Sequence, residues 1–337
     1  MQKAVDFLKN TKPKDEIVVV FNNDADGICS CVLMNKYLKH MGINPYIISQ
    51  PMPPDKNLIR RIQSGIPNKI IFLDLAMDQQ PSVLKKVKGF ADILIIDHHL
   101  IENNMNSPQI VHYNPRFKNP KIYQSTSYLA YKILSKLLDM EDSLWIAAIG
   151  IIGDYDIASS MDLIKEVEKK YDLNLFYKIA AMISSVRATK AMTCEQIVEL
   201  LINTKDPKQL IAGEFLESYQ KIELETEAVL IDAGKNAEKI DSVFFYNIKS
   251  KYNIRSDIST KLSEKFPDKI IIVYEKIGNN INASVRNQNR RINVDRVLKK
   301  AIIGLKASAG GHEVAGGVTM DAKDWDRFKE KLLEILR

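Results

Sequence analysis

The chain has 337 residues, with 48 Lys+Arg against 42 Asp+Glu for a net charge of +6; 45% of its residues are hydrophobic and 27% are charged. That composition excludes a disordered chain, and the length suits two domains better than one core. No run approaches the roughly 18 to 20 apolar residues of a membrane span, and the opening MQKAVDFLKNTKPKDE lacks the basic-then-apolar order of a secretory signal, so a cytoplasmic location is expected.

Three cysteines, Cys29, Cys31 and Cys194, cannot build a disulfide framework and lack the neighbouring soft ligands of a zinc site, so free, partly buried thiols are expected. Charge is unevenly placed. Residues 241–337 hold 19 Lys+Arg against 12 Asp+Glu, a net of +7, which leaves −1 for residues 1–240. A basic C-terminal part containing Arg286, Arg290, Arg291, Arg296, Lys299 and Lys300 suits a polyanionic ligand, with a solvated face as the ordinary alternative.

From residue 16 short β-branched runs alternate with helical stretches. EIVVVF predicts a strand and CVLMNKYLKHMG a helix; PYIIS and KIIFLDLA predict further strands around the helix LIRRIQSG, and VLKKVKGF precedes the strand ILIIDHH. This βαβ alternation implies a parallel sheet covered on both faces. SLWIAAIGIIGDYD reads as a buried helix ending at Gly153 and Asp154.

Residues 160 to about 238 carry apolar positions at helical spacing, as in Phe215, Tyr219, Ile222, Val229 and Leu230, and read as connecting helices. Strands return in SVFFYNI, KIIIVYEKI and NINASVR, with helices near 255–266 and 293–303, then GGHEVAGGVTM and a C-terminal amphipathic helix. The expected fold class is therefore α/β, a parallel-sheet N-terminal domain joined by helices to a smaller C-terminal α/β domain. The expected boundaries are 1–190, 191–239 for the connector, and 240–337. Phe244, Phe245 and Tyr246 fall in an apolar strand and are expected in its core.

Ligand sites in open α/β sheets lie beyond the carboxyl ends of the strands. Here those positions are acidic: Asp24 and Asp26 after VVVFNN, Asp74 after IIFL, and Asp97, His98 and His99 after ILII, with Asp154 closing the later helix. Carboxylates gathered at one edge repel one another unless cations neutralise them. Hard oxygen ligands with one imidazole suit Mn²⁺ or Mg²⁺ better than zinc, and a pair of such ions about 3.5–4 Å apart suits phosphoester hydrolysis.

DADG at 24–27, Asp74 in FLDLA, IDHH at 96–99, GD at 153–154, Ser284 and Arg286 in NASVRN, and GGHEVAGG at 310–317 together resemble the DHH/DHHA1 phosphoesterase superfamily. Archaeal RecJ-like exonucleases and small oligonucleotide phosphodiesterases are the nearest resemblance. It implies Asp74 as a bridging ligand, Asp26, His98 and Asp154 as ligands of one Mn²⁺ ion, and Asp24 as a ligand of a second, with Mg²⁺ as the alternative metal. It also implies that Asp97 orients its neighbours, that His99 lies near the phosphate, and that Ser284, Arg286, Gly310, Gly311 and His312 bind substrate. Relatives usually carry His or Asp where this chain has Asn22, and a neutral amide is a weaker ligand.

The implied activity is metal-dependent hydrolysis of single-stranded RNA or DNA, or of short oligonucleotides, to mononucleotides. Two alternatives stay open. One is a phosphoesterase for small nucleotides such as a cyclic dinucleotide or 3′-phosphoadenosine 5′-phosphate; the other is a weakly catalytic replication-fork subunit that binds the GINS complex. Outside these motifs, His40 and His112 are expected in structural or surface roles, and Ser125 or Thr126 as the N-cap of a helix.

Overall fold

The computed structural model describes residues 1–289, 292–311 and 313–336. The chain divides into two compact units, Met1–Tyr219 and Gln220–Arg337, with the division inside the helix Gly213–Asn236.

In the first unit β1 (Ile17–Phe21), β2 (Tyr46–Ser49), β3 (Lys69–Leu73), β4 (Asp92–Ile96) and β5 (Ile110–Tyr113) form one all-parallel sheet in the order β2-β1-β3-β4-β5. Sequence reading found β1 to β4 and missed β5, whose IVHY run is short and only half apolar. Both faces are covered, which is why these strands read as continuous apolar runs rather than as alternation. Val19, Phe21, Ile71, Leu73, Leu94 and Ile96 meet the helices Ala25–His40, Thr126–Leu134 and Leu144–Gly153 on one face. Val18, Val20, Ile70, Phe72, Ile93 and Ile95 meet Leu58–Ser64 and Pro81–Val87 on the other.

The helix Leu144–Gly153 is buried along nearly its whole length, as its apolar sequence requires. Cys29 and Cys31 are buried free thiols in the helix Ala25–His40. Of the stretch expected to connect the domains, the helix Cys194–Asn203, the turn Pro207–Leu210 and the start of the helix Gly213–Asn236 place Ile197, Val198, Leu201, Leu210 and Phe215 in the first unit's core.

The second unit is built on β6 (Glu238–Ile240), β7 (Val243–Asn247), β8 (Ile270–Ile277), β9 (Asn280–Arg286), β10 (Ala307–Gly311) and β11 (Ala315–Asp321), ordered β10-β11-β9-β8-β7-β6. Only β7 and β8 pair in parallel. The helices Val294–Ala301 and Trp325–Leu336 pack Val294, Leu298, Trp325, Phe328 and Leu332 against Phe245, Ile272, Ala283, Val285 and Val318. Phe244, Phe245 and Tyr246 are buried, as their apolar run implies. No helix among the described residues is long and apolar enough to cross a membrane.

Candidate metal centre

Register decides where the acidic residues arrive. Phe21 pairs with Leu73 and Leu73 with Ile96, so β1, β3 and β4 end level and the next residues, Asn22, Asp74 and Asp97, leave one edge of the sheet. The Asn22 N–H still donates to Leu73 O, and the Asp74 N–H to Ile96 O. Asp74 then turns away in a left-handed conformation, φ 59°, which a non-glycine residue adopts at a cost of about 1 kcal/mol or more.

The first motif closes on itself. Asp24 caps the helix Ala25–His40 by accepting the Gly27 N–H at 2.9 Å. Gly27 is required there, because a Cβ would lie 2.1 Å from the Asn22 carbonyl oxygen. The amide of Asn22 donates through Nδ2 to Asp24 Oδ2 at 2.6 Å and to Asp74 Oδ2 at 3.2 Å, while its Oδ1 accepts the Asn23 N–H at 2.8 Å. As placed, Asn22 holds two carboxylates together with its donor side.

Asp26 points the other way, into the first turn of the helix Thr126–Leu134. Its Oδ2 accepts the Thr126 N–H and its Oδ1 the Ser127 N–H, both at 2.7 Å. Ser125, the residue preceding that helix, makes no side-chain cap bond, so the expected serine or threonine cap is replaced by a carboxylate from a distant element. A helix N-terminus with open N–H groups favours such an anion. Thr126 also donates its hydroxyl to Asp74 Oδ1 at 3.2 Å.

His98 bridges the cluster. Its Nε2 lies 3.2 Å from Asp74 Oδ1 and its Nδ1 3.5 Å from Asp154 Oδ2. One ligand atom from each of Asp26, His98 and Asp154 fits within 4.8 Å of the others, and the same holds for Asp74, His98 and His99. Asp26, Asp74, Asp97 and His98 are each at most 2% exposed. Asp154 Oδ2 is buried with no hydrogen-bond donor among the described residues.

Burial pushes the carboxyls of Asp74 and Asp154 well above their ordinary range, and neighbouring Asp24 and Asp26 push in the same direction. Burial also raises Asp26, against the N–H groups that lower it. Asp97 differs: burial would raise it, but His99, with Nδ1 at 2.7 Å from Asp97 Oδ1, holds it well below the carboxylate range. Burial would lower His99, but Asp97 outweighs it and leaves the imidazole above its ordinary value. The loop itself is fixed by Arg116 Nε donating to His98 O at 2.7 Å and Asn114 Nδ2 to His99 O at 2.9 Å.

The donor set fits a divalent cation. Converging carboxylates, one imidazole and a buried oxygen without a donor are what a cation with oxygen and nitrogen ligands satisfies. Thr126, expected only as a helix cap, enters through its backbone N–H, and residues not singled out from sequence complete the picture: Ser127 through its backbone N–H, Arg116, Asn114, and Tyr123, whose hydroxyl donates to Asp154 O at 3.2 Å. Backbone donors leave no residue-type signature, whereas Arg116 and Asn114 sit in an NPR triplet that sequence reading passed over.

In the second unit Ser284 and Arg286 both lie on β9. Ser284 Oγ accepts from Arg255 Nε at 3.1 Å, and Arg255 also pairs with Glu275. Arg286 donates to Ser256 Oγ at 2.7 Å and Thr260 Oγ1 at 3.3 Å, both on the helix Arg255–Lys265. Gly310 and Gly311 pair with Gly317 and Gly316, and Gly311, at φ 156°, leaves no room for a Cβ beside Ala315 O. His312, Arg290 and Arg291 lie outside the described residues.

Residues 16–153 match the DHH family N-terminal domain and residues 242–337 the DHHA1 domain. No curated protein matches the chain. RecJ from Thermus thermophilus in complex with Mn²⁺ shares the fold at a TM-score of 0.76 and 17% identity, over 98% of this chain and 53% of that one. The chain thus spans about half the length of that RecJ. The DHH domain of a member of the s1p family of ribosomal proteins aligns at TM-score 0.81 and 15% identity, over 99% and 89% of the two chains. A pGpG-specific phosphodiesterase from Vibrio cholerae aligns at 0.52 and 15%, over 94% and 97%. At these identities the likeness is one of fold. With both domain models matched in order over more than half of its length, the chain belongs to the DHH/DHHA1 superfamily and is RecJ-like in fold.

Proposed function

We propose that the chain is a metal-dependent phosphodiesterase that removes nucleotides from single-stranded RNA or DNA or from short oligonucleotides. The observation that carries this reading is the convergence of Asp26, His98 and Asp154 within 4.8 Å of one another, with Asp74 at 3.2 Å from His98.

In this reading Asp26, His98 and Asp154 would hold one Mn²⁺ ion and Asp24 a second, with Asp74 as a ligand common to both, and Mg²⁺ would be the alternative occupant. Bound ions of this kind lower the pKa of water and neutralise charge on a phosphoryl group. The chain's own residues do the rest. The Thr126 and Ser127 N–H groups fix the Asp26 carboxylate so that it meets a cation already oriented. Asp97 Oδ1 at 2.7 Å orients the His99 imidazole and raises its proton affinity, which suits His99 to donate to a phosphate oxygen. Arg286, kept in place by Ser256 and Thr260, binds the phosphate backbone, joined by Ser284, Gly310, Gly311 and His312. Residues 1–190 would be the catalytic domain and 240–337 the substrate-binding domain.

The fold shared with the pGpG-specific phosphodiesterase supports a second reading, hydrolysis of a small nucleotide. A time course on 5′-labelled RNA and DNA of two to about twenty nucleotides, with Mn²⁺, Mg²⁺ or EDTA and with the Asp74→Ala protein, separates them. A metal-dependent ladder absent from the variant supports the exonuclease. Cleavage confined to dinucleotides supports the second reading, and no cleavage of any strand turns to small nucleotides such as a cyclic dinucleotide, then to the GINS-associated fork subunit.

A further inference from the structure

A second group of donors lies behind the DHH loop, on the sheet face covered by Leu58–Ser64 and Pro81–Val87. His112 on β5 pairs in register with Ile95 of β4, and Asp97 follows two residues after Ile95. Side chains alternate along a strand, so residues 95 and 97 share a face. Asp78, in the short turn Met77–Gln79 after β3, completes the group. One ligand atom from each of Asp78, Asp97 and His112 lies within 4.8 Å of the other two.

All three are buried, at 1%, 0% and 4% exposure. Asp78 Oδ2 accepts the N–H groups of Glu102 at 2.7 Å and Asn103 at 3.0 Å, and Asp97 Oδ1 is taken by His99. Asp97 Oδ2 and both ring nitrogens of His112 have no hydrogen-bond partner among the described residues. Each buried polar group left unsatisfied costs about 1–3 kcal/mol, so Asp97 Oδ2 and a ring nitrogen of His112, close to Asp78, call for a shared occupant. A water can donate to two of these groups but leaves the charge of two buried carboxylates uncompensated. A cation takes one oxygen from each carboxylate and one ring nitrogen of His112, and offsets their charge.

We propose that Asp78, Asp97 and His112 form an additional divalent-cation site, separate from the centre at Asp26, His98 and Asp154. Two carboxylates and one imidazole suit Mn²⁺ or Zn²⁺. Burial keeps His112 neutral, which leaves a lone pair to ligate. The ion would join the turn after β3, the DHH loop and β5, and so fix the carboxylate that holds His99. It does not depend on the hydrolytic reading.

The test is ion stoichiometry on the full-length protein, stripped with chelator and dialysed against Mn²⁺ or, separately, Zn²⁺. His112→Leu should bind one ion fewer per chain than its parent, in the wild-type background and in His98→Ala/Asp154→Ala. Asp78→Asn, which keeps an oxygen for the two N–H groups, should lose the same ion and guards against a folding defect in His112→Leu. Equal ion counts in parent and both variants, with either metal, would overturn the site. Loss of hydrolysis with the ion retained in His98→Ala/Asp154→Ala would bear on the catalytic centre alone.

Discussion

The Thr126 N–H and the Asp26 carboxylate are a hundred residues apart in sequence and 2.7 Å apart in space. With the Ser127 N–H at the same distance, the carboxylate closes the start of a helix and presents itself to the acidic edge of the sheet. Asp26 therefore contributes to the fold as well as to the candidate centre, whereas Asp154 Oδ2 has no hydrogen-bond donor among the described residues to lose.

Asp26→Ala should lower stability by about 2–4 kcal/mol, because two buried N–H groups lose their acceptor. Asp154→Ala should leave metal-free stability unchanged or higher, since it removes a buried carboxyl pushed towards protonation by burial and by its neighbours. Urea unfolding in EDTA distinguishes the two, and equal losses would show that the helix contact carries little.

At Asp74 the backbone and the side chain are tested separately. Both Asp74→Ala and Asp74→Gly should reduce hydrolysis to the level seen in EDTA. Asp74→Gly should nonetheless be the more stable of the two by about 1 kcal/mol, since only glycine occupies the left-handed region without strain. Substantial metal-dependent turnover in either variant would refute the assigned centre.

Gly27→Ala places a methyl against the Asn22 carbonyl oxygen, which is backbone and cannot rotate away. The expected result is a loss of about 1–3 kcal/mol together with loss of activity, because the Asp24 cap and the Asn22 clamp share that turn. Retained activity with a normal melting curve would mean that the loop has room the structure does not show.

Arg286→Ala should weaken oligonucleotide binding and reduce the slope of log affinity against log salt by about 1, with metal binding intact. An unchanged slope measured by fluorescence anisotropy would remove Arg286 from the phosphate contacts.

A pH effect is expected far from the centre. Burial raises Asp15, but Lys69 Nζ at 2.8 Å, the Lys12 N–H and Asn68 outweigh it and leave the carboxyl below its ordinary value. A depressed carboxyl contributes stability that is complete above its unfolded pKa of about 3.9. That contribution is lost as pH falls through the lower folded value. The stability gap between wild type and Asp15→Asn should therefore be full near neutrality and close in acid; a gap independent of pH would show that the carboxylate charge is not what Lys69 and Asn68 hold.

Sequence reading placed β1 to β4, the buried helix 144–153 and the acidic strand ends because each has a periodicity or residue type that is local. It missed what depends on distant partners. Nothing in QSTS announces that its N–H groups meet Asp26. Arg255 looks like any helix arginine until β9 folds beside it and offers the Ser284 hydroxyl. The helix 194–203 reads as connector because its apolar positions do not say which core they enter. His112 is one histidine on a half-apolar strand, and only the register with Ile95 brings it towards Asp78 and Asp97.

The outer strands of the first sheet end at the same level as the inner ones: Ser49 pairs with Phe21, and Tyr113 with Ile96. Their exit residues serve as scaffolding, Gln50 by donating its N–H to Phe21 O and Asn114 by holding His99 O. The candidate ligands that leave this sheet edge follow the three central strands, and the supporting residues follow the two flanks. Loops tolerate change better than the elements they join, so such a layout leaves the flanks open to variation while the acidic edge stays where the central register puts it.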